Sequence, residues 1–374
     1  MTTAASFRNL QEAAAQAGST ITYIPLSDRA DSLPVPPRFT FGPFASDLAS
    51  RYYHEVLVLG TGLFVAKAIT LSGHFLLSQG ETIFACDQLH LSSGVLAPLV
   101  TSLDLTRFSR RTRIEPGRCV MLLGPGLEIY GHWLVDFLPK LYVLHAAGYD
   151  IETLRYALPA DTPAFGLALL HLLGIGEDQL ILYDPLFETV LADELLIPTM
   201  VRTNSRAAQP FADAATFLGR RINDRHGVGP PSALARRLYI SRARSGRQVR
   251  RLLNRERIEQ LAQEVGFSVV HPEHLPLLDQ IRLFQGATHI MGEYGSALHA
   301  AIVSPPGTIV CALRGSGSPI AGFLQSSIGY ALRQPTGYII GPARDGDRLE
   351  SYEIAERDFA LCRDLVFGGR KLQS

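Results

Sequence analysis

Short apolar runs broken by glycine occupy the N-terminal third of the chain. Residues 55–59, 64–71 and 74–77 are rich in branched and aromatic side chains and are punctuated by Gly60, Gly62 and Gly73, the pattern of an antiparallel meander. Residues 82–84 and 119–123 add two strands. The period then changes. Trp133, Phe137 and Leu141, with Leu134, Leu138 and Tyr142 beside them, recur at helical spacing, and Pro139 inside that run predicts a kink or two shorter pieces. Residues 155–158 read as a strand ending before Pro159, 165–173 as a helix ending at Gly174, 179–183 as a strand, and 193–198 as the last strand of this half.

A polar interval, Arg202 to Arg206, marks a domain boundary between residues 200 and 210, and a helix follows over 212–223. Beyond a second break at 227–231 the alternation is regular. Strands are expected at 237–241, 268–270, 288–291 and 308–313, with helices at 254–265, 276–285 and after Ser296. This half reads as a doubly wound parallel sheet with right-handed crossovers. Pro34, Pro36, Pro37 and Pro43 make the leader an extended surface arm. The resulting division is an N-terminal arm (1–44), a first domain (45–205), a second domain (206–350), and a C-terminal helix with its tail (351–374). The final helix is expected at 352–365 and is placed back on the first domain.

Composition narrows the classes. A chain of 374 residues with 47% hydrophobic content buries two cores and is not disordered. Lys plus Arg and Asp plus Glu balance at 35 each, so nothing pulls the whole molecule toward nucleic acid or an anionic membrane, and an anion site must be local. One local imbalance is strong: residues 236–257 hold nine arginines against the single carboxylate of Glu256. Cys86, Cys119, Cys311 and Cys362 lack paired spacing and fit a reducing compartment better than a metal knuckle or disulfide framework. The start carries no basic segment followed by an apolar one, and no apolar run reaches bilayer-spanning length. Peripheral membrane association through a modest patch is compatible with this.

Three stretches carry candidate chemistry. His132 and Asp136 stand at i and i+4 in the apolar run Gly131 to Lys140, which places imidazole and carboxylate on one helical face, either as a buried core pair or as a catalytic one. Arg242, Arg247 and Arg250 follow the strand containing Tyr239 and Ile240, where a parallel sheet lines its ligand crevice, and Asn254 is placed to cap the next helix. Gly292-Glu293-Tyr294-Gly295-Ser296-Ala297-Leu298 also follows an apolar strand. Its glycines allow close backbone approach, and Ser296 can cap a helix whose amides would hold a diphosphate. The dinucleotide fingerprint, the phosphate-binding loop, His-Glu-x-x-His and the serine elbow are all absent from the sequence. Asp345-Gly346-Asp347 reads as an exposed turn, and His271 and His274 as decoration of the Pro272 turn, so no metal site is expected.

The same stretches resemble glycosyltransferase family 61, a group long described as a domain of unknown function in capsular polysaccharide biosynthesis proteins. The resemblance starts near Leu57, peaks from Gly131-His132-Trp133 to Pro139, and resumes at Tyr239-Ile240-Ser241-Arg242. It continues through Arg247, Asn254, Gly266-Phe267, Gln280-Ile281, Gly292 to Leu298 and Pro306-Gly307. It implies an α/β, GT-B-like fold of two Rossmann-like domains facing a cleft, here with an N-terminal β-rich portion. It further implies inverting transfer from a nucleotide sugar, bound as substrate with no cofactor and no metal, to a glycan or lipid-linked oligosaccharide acceptor. By similarity His132 and Asp136 face acceptor and reacting sugar. The donor falls to Arg242, Arg247, Arg250, Asn254, Glu293, Tyr294, Gly295 and Ser296. The expected setting is cytoplasmic, at the inner membrane, with no nucleic-acid partner.

Two departures from the family pattern stand out. Where the family commonly reads Gly-x-His-Gly-Ala-Gly-Leu, Tyr294 takes the histidine position and Ala297 a glycine position. Cys311-Ala312-Leu313 stands where an acidic residue often follows the final strand. A noncatalytic glycan-binding or assembly protein of the same architecture is therefore the competing class, and a phosphate-binding metabolic enzyme is the third.

Overall fold

The computed structural model describes residues 6–32, 35–43, 56–102, 111–227, 236–244, 250–317, 324–344, 346–347 and 350–367. The chain forms two compact units, one of residues 1–30, 57–203 and 208–225, the other of 31–56, 204–207 and 226–374. Both mix helices with sheets. Among the described residues no helix is long and apolar enough to cross a membrane.

The first unit is built on a ten-stranded mixed sheet. Its centre is Glu188–Pro198, an eleven-residue strand lying parallel to Arg111–Met121, beyond which Arg155–Pro159 and Leu180–Tyr183 follow, also parallel. On its other edge the long strand pairs antiparallel with Thr61–Ala66 through Leu195 to Pro198 and with Thr70–Ser72 through Thr189 to Leu191. Leu76–Gln79 and Thr82–Ala85 complete the antiparallel meander. The single strand expected over 64–71 is therefore two, because Ala68 turns the chain at φ 58°. The helix Phe211–His226, expected to open the second domain, lies through residue 225 in the first unit. Phe211, Ala214, Ala215, Leu218 and Ile222 form its buried stripe, and Arg221 Nε donates to the Leu173 carbonyl at 2.7 Å.

An extended arm over 1–44 is not what forms. Ser6–Asn9 pairs with Thr82–Ala85, Ile21–Ser27 pairs with Thr61–Ala66, and Leu10, Ala13 and Ile21 are buried. The apolar anchors are spaced too widely among alanine and polar residues to register as a period. Farther on, Phe39–Phe41 joins the sheet of the second unit as an edge strand, the position that tolerates the prolines just before it.

That second sheet is parallel throughout, in the order Ser268–Val270, Arg237–Ile240, His289–Glu293, Ile309–Gly315, Thr336–Gly341 and Phe39–Phe41. Apart from its extra edge strand this is the 2-1-3-4-5 order of a doubly wound domain. Its direction of winding reverses between Arg237–Ile240 and His289–Glu293, and sheets of this order characteristically take ligands at the carboxyl ends of the two strands flanking the reversal. The final helix, Glu356–Cys362, does not leave for the first unit. Phe359, Cys362, Val366 and Phe367 pack into the same core as Tyr239, Met291 and Cys311, because their spacing gives one apolar stripe. That packing brings Cys311 and Cys362, far apart in sequence, to 3.8 Å between sulfurs. All four cysteines are free thiols.

The Phe39–Phe41 strand lies close against Gly337, where an added Cβ would overlap the Phe39 carbonyl oxygen and ring. Gly337→Val should destabilise the fold by on the order of 1–3 kcal/mol through forced separation of these strands. Chemical denaturation followed by circular dichroism measures it, and an unchanged midpoint would place this strand elsewhere.

Candidate functional site

The run from Gly131 to Lys140 folds as two helices joined by a widened turn. Trp133–Phe137 is π-helical, with the Leu138 amide donating to the Trp133 carbonyl at 2.9 Å, and Lys140–Ala146 continues as α-helix. Pro139 has no amide for an ordinary α-helical bond, so it interrupts the regular ladder at this point. Trp133 is fixed by its indole N–H, which donates to the Leu127 carbonyl at 2.7 Å, and by edge contacts with Phe137 and Phe165. Gly126, at φ +84°, lies so close to the His132 ring that a Cβ there would stand 2.8 Å from it.

His132 and Asp136 meet, Nδ1 to Oδ2, at 2.6 Å. Asp136 is fully buried, and its remaining capacity goes to Arg202: Nε donates to Oδ1 and Nη2 donates to Oδ2, the latter at 2.7 Å. Burial pushes the Asp136 carboxyl up, but the Arg202 guanidinium and the His132 hydrogen bond outweigh it and hold the group well below the usual carboxylate range. An ionised carboxylate only accepts hydrogen bonds, so His132 Nδ1 carries the proton of this contact and a neutral ring presents Nε2 as an acceptor. The His132 side chain is 33% exposed, whereas Asp136 is at 0%. Of the two, only the imidazole reaches the surface.

Two further titratable groups, Lys140 and His90, interact electrostatically with this cluster. Lys140 is buried, its Nζ donating to the Leu122 carbonyl at 3.0 Å and lying 5.8 Å from the Phe137 ring centre. Burial lowers its pKa to about 8, against the opposing pull of Asp136. His90 holds a left-handed backbone at φ 59°, and its Nε2 is buried without a hydrogen-bond partner among the described residues. Burial, followed by the nearby Arg202 charge, holds its pKa down to about 4, which keeps it neutral at physiological pH.

In the second unit the winding reversal gathers most of the other candidates. Arg242 follows the strand Arg237–Ile240, and Tyr294 follows His289–Glu293. Glu293 is buried and gripped by Arg255, whose Nε and Nη2 donate to Oε1 and Oε2 at 2.7 and 2.9 Å. Oε1 also accepts the Arg242 backbone N–H at 3.0 Å. Glu293 is thus neutralised inside the protein and positions the Arg242 turn. Its carboxylate is paired within the protein rather than left as a free negative charge. Ser241 Oγ accepts the Ala243 amide at 3.0 Å and donates to Glu259 at 2.5 Å, tightening that turn.

Arg250 and Arg314 lie over the Tyr294 ring at 5.9 and 5.8 Å. Burial, then the neighbouring Arg250 charge, lowers the Arg242 pKa. Among the described residues neither Arg242 nor Arg250 is ion-paired to a carboxylate, in contrast to Arg255. Arg247 lies outside the described residues.

Three expected roles change. Asn254 makes no capping bond; its Nδ2 donates to the Ile354 carbonyl at 2.7 Å and its Oδ1 accepts the Ile354 amide at 3.2 Å, pinning the C-terminal segment. Ser296 does not cap either, since the 3-10 helix Ser296–Val303 starts from Gly295 without a side-chain cap. The close approach at Gly292 is to the neighbouring strand: a Cβ there would overlap the Ile240 carbonyl oxygen. At Gly295 an added Cβ would make only ordinary contacts of 3.7 Å with the Arg242 side chain.

Residues 130–311 match the family model for Glycosyltransferase 61. The chain carries a glycosyltransferase 61 domain. The matched span opens at the helix bearing His132 and includes Arg202, Arg242, Arg250, Arg255 and Tyr294, so both clusters fall inside it. Membership implies glycosyl transfer in general and, with it, a sugar donor and a glycan acceptor. No curated protein matches the chain.

Arg202 and Arg255, which hold the two buried carboxylates of these clusters, are the residues that sequence reasoning does not single out. Arg202 follows the buried Met200 and Val201 after a strand, the same placement that marks Arg242, yet in the sequence it reads as part of a polar interval. Arg255 is one of nine arginines with no visible partner, because Glu293 is 38 residues away.

Lys140 gives a pH test of this buried cluster. Its folded pKa, about 8, lies below the ordinary 10.5, so between those values the unfolded chain binds the proton that the folded one has lost, and stability rises with pH. Relative to Lys140→Met, wild type should gain on the order of 3 kcal/mol between about pH 7 and pH 10. Unfolding free energies across that range check it; a constant difference would mean the amine is solvated.

Proposed function

We propose that this chain is an inverting, metal-independent glycosyltransferase that moves a sugar from a nucleotide sugar to a glycan or lipid-linked acceptor in bacterial polysaccharide biosynthesis. A GT-B arrangement, with the acceptor half in the first unit and the donor half in the second, belongs to this proposal. So does a cytoplasmic setting at the inner membrane, which rests on the acceptor class. The observation that carries the reading is the His132–Asp136–Arg202 arrangement within a glycosyltransferase 61 domain.

The chemistry follows from that arrangement. In an inverting transfer the acceptor oxygen forms its bond to the anomeric carbon as the bond to the donor diphosphate breaks on the opposite face. The acceptor proton must leave, and negative charge must be received on the diphosphate. Asp136 cannot take the proton, since both of its oxygens are occupied and it is inaccessible. Its role is to fix the tautomer and orientation of His132, whose Nε2 takes the proton. Arg242 and Arg250 supply charge for the departing diphosphate, Arg242 being aimed by the clamp of Arg255 on Glu293.

A noncatalytic glycan-binding protein is the second reading. It is favoured by Tyr294, which replaces the family's histidine and is buried against arginines. A panel of UDP, GDP and CMP sugars separates the two. The transferase reading expects saturable binding and slow donor hydrolysis by at least one, and no binding by any would favour the second.

With the donor identified, His132→Ala should lower transfer by about 100-fold or more while leaving donor affinity near wild type. Normal turnover in that variant would remove His132 as base. Arg242→Ala should instead weaken donor affinity by about tenfold, the equivalent of roughly 1.4 kcal/mol. An unchanged dissociation constant, measured by calorimetry, would put the diphosphate elsewhere.

A further inference from the structure

The first unit contains a cleft of about 420 Å³, within the range of small-ligand sites, to which Tyr23, Gln88, Glu12, Asp28, Asp87 and Arg29 contribute. Every residue lining it lies between Asn9 and Gln88, outside the matched family segment, which begins at residue 130. The cleft is nonetheless tied to the His132 cluster by the chain segments that form its wall. Gln88 Nε2 donates to Tyr23 Oη at 3.1 Å and to the Gly60 carbonyl at 2.6 Å, while the Gln88 carbonyl accepts the Met200 amide at 2.9 Å. The Leu59 amide donates to Thr203 Oγ1, also at 2.9 Å. The wall of the cleft therefore holds the chain on both sides of Arg202, by the Met200 backbone and the Thr203 side chain, and Arg202 holds Asp136.

The lining has a definite chemical character. Glu12, Asp28 and Asp87 are exposed, and among the described residues none is ion-paired. Carboxylates of this kind accept strongly from hydroxyl and ammonium groups, and Tyr23 adds an aromatic surface beside them. Against three carboxylates stands the single guanidinium of Arg29, so the cleft disfavours carboxylate or phosphate on its occupant.

We propose that this cleft binds the non-anionic part of a glycan, rich in hydroxyl groups or carrying an amine, and that on the transferase reading above this glycan is the acceptor. The subsite selects neutral or amino sugars over uronates and phosphorylated sugars, and it does so through residues that the family segment does not contain.

The test uses the full chain on immobilised oligosaccharides: neutral hexose chains, amino-sugar chains, uronate chains and phosphorylated chains. Saturable retention is expected on neutral or amino members and not on the anionic ones. The variant Asp28→Ala/Asp87→Ala, altered only at exposed positions, should weaken that retention by about tenfold while donor hydrolysis stays at the wild-type rate. Arg29→Ala, which makes the cleft more acidic, should not create retention on anionic chains. Preference for uronate or phosphorylated chains, no retention on any member, or retention unchanged in the double variant would overturn the proposal. Retention that follows these expectations in a protein that binds no nucleotide sugar would uphold the subsite and overturn the transferase reading alone.

Discussion

Burying an ionised carboxylate costs several kcal/mol unless other groups return what water supplied, and breaking one partner away leaves that cost exposed. Asp136 is such a group. Arg202 meets both of its oxygens and His132 meets one of them, so the carboxylate stays charged at the centre of the first unit. Once it does, the imidazole has a fixed ring orientation and a fixed tautomer, with Nδ1 turned to the carboxylate and Nε2 not engaged by it. The widened helical turn, the glycine against the ring face and the anchored indole all support this contact.

The second unit repeats the device with different residues. Glu293 is buried as Asp136 is, and Arg255 meets it through the same two atoms, Nε and Nη2, that Arg202 uses. In each case an arginine–carboxylate pair is consumed inside the protein and a third group is positioned by it: His132 in one unit, the Arg242 backbone in the other. The planar guanidinium suits this role because its paired donors match the two carboxylate oxygens. This division also sorts the arginines. Arg202 and Arg255 are structural partners of buried carboxylates, whereas among the described residues Arg242 and Arg250 are paired with no carboxylate.

Much of this was legible in the chain. Helical spacing placed His132 and Asp136 on one face, and the strand-to-loop transitions at Arg242 and Tyr294 marked the carboxyl edge of a parallel sheet. The same reasoning missed the N-terminal strands, where Leu10, Ala13 and Ile21 are isolated anchors in a polar, alanine-rich stretch with no period to detect. It also assigned Asn254 and Ser296 to helix caps on residue type alone. An asparagine before a helix is as able to bond a distant backbone, and here Ile354 supplied one.

Local physics thus belongs to the sequence: periodicity, the effect of Pro139 on a helix, the positive charge gathered at 236–257, and the family motifs. Long-range pairing belongs to the tertiary structure. Arg202 is 66 residues from Asp136, Arg255 is 38 from Glu293, and Asn254 is 100 from Ile354. No property of an arginine in isolation says which carboxylate it will neutralise or whether it will be left unpaired. That is decided when sheets bring distant strand ends together and burial makes each unpaired charge costly, and it is this closure that leaves His132 partly exposed and held by an inaccessible carboxylate.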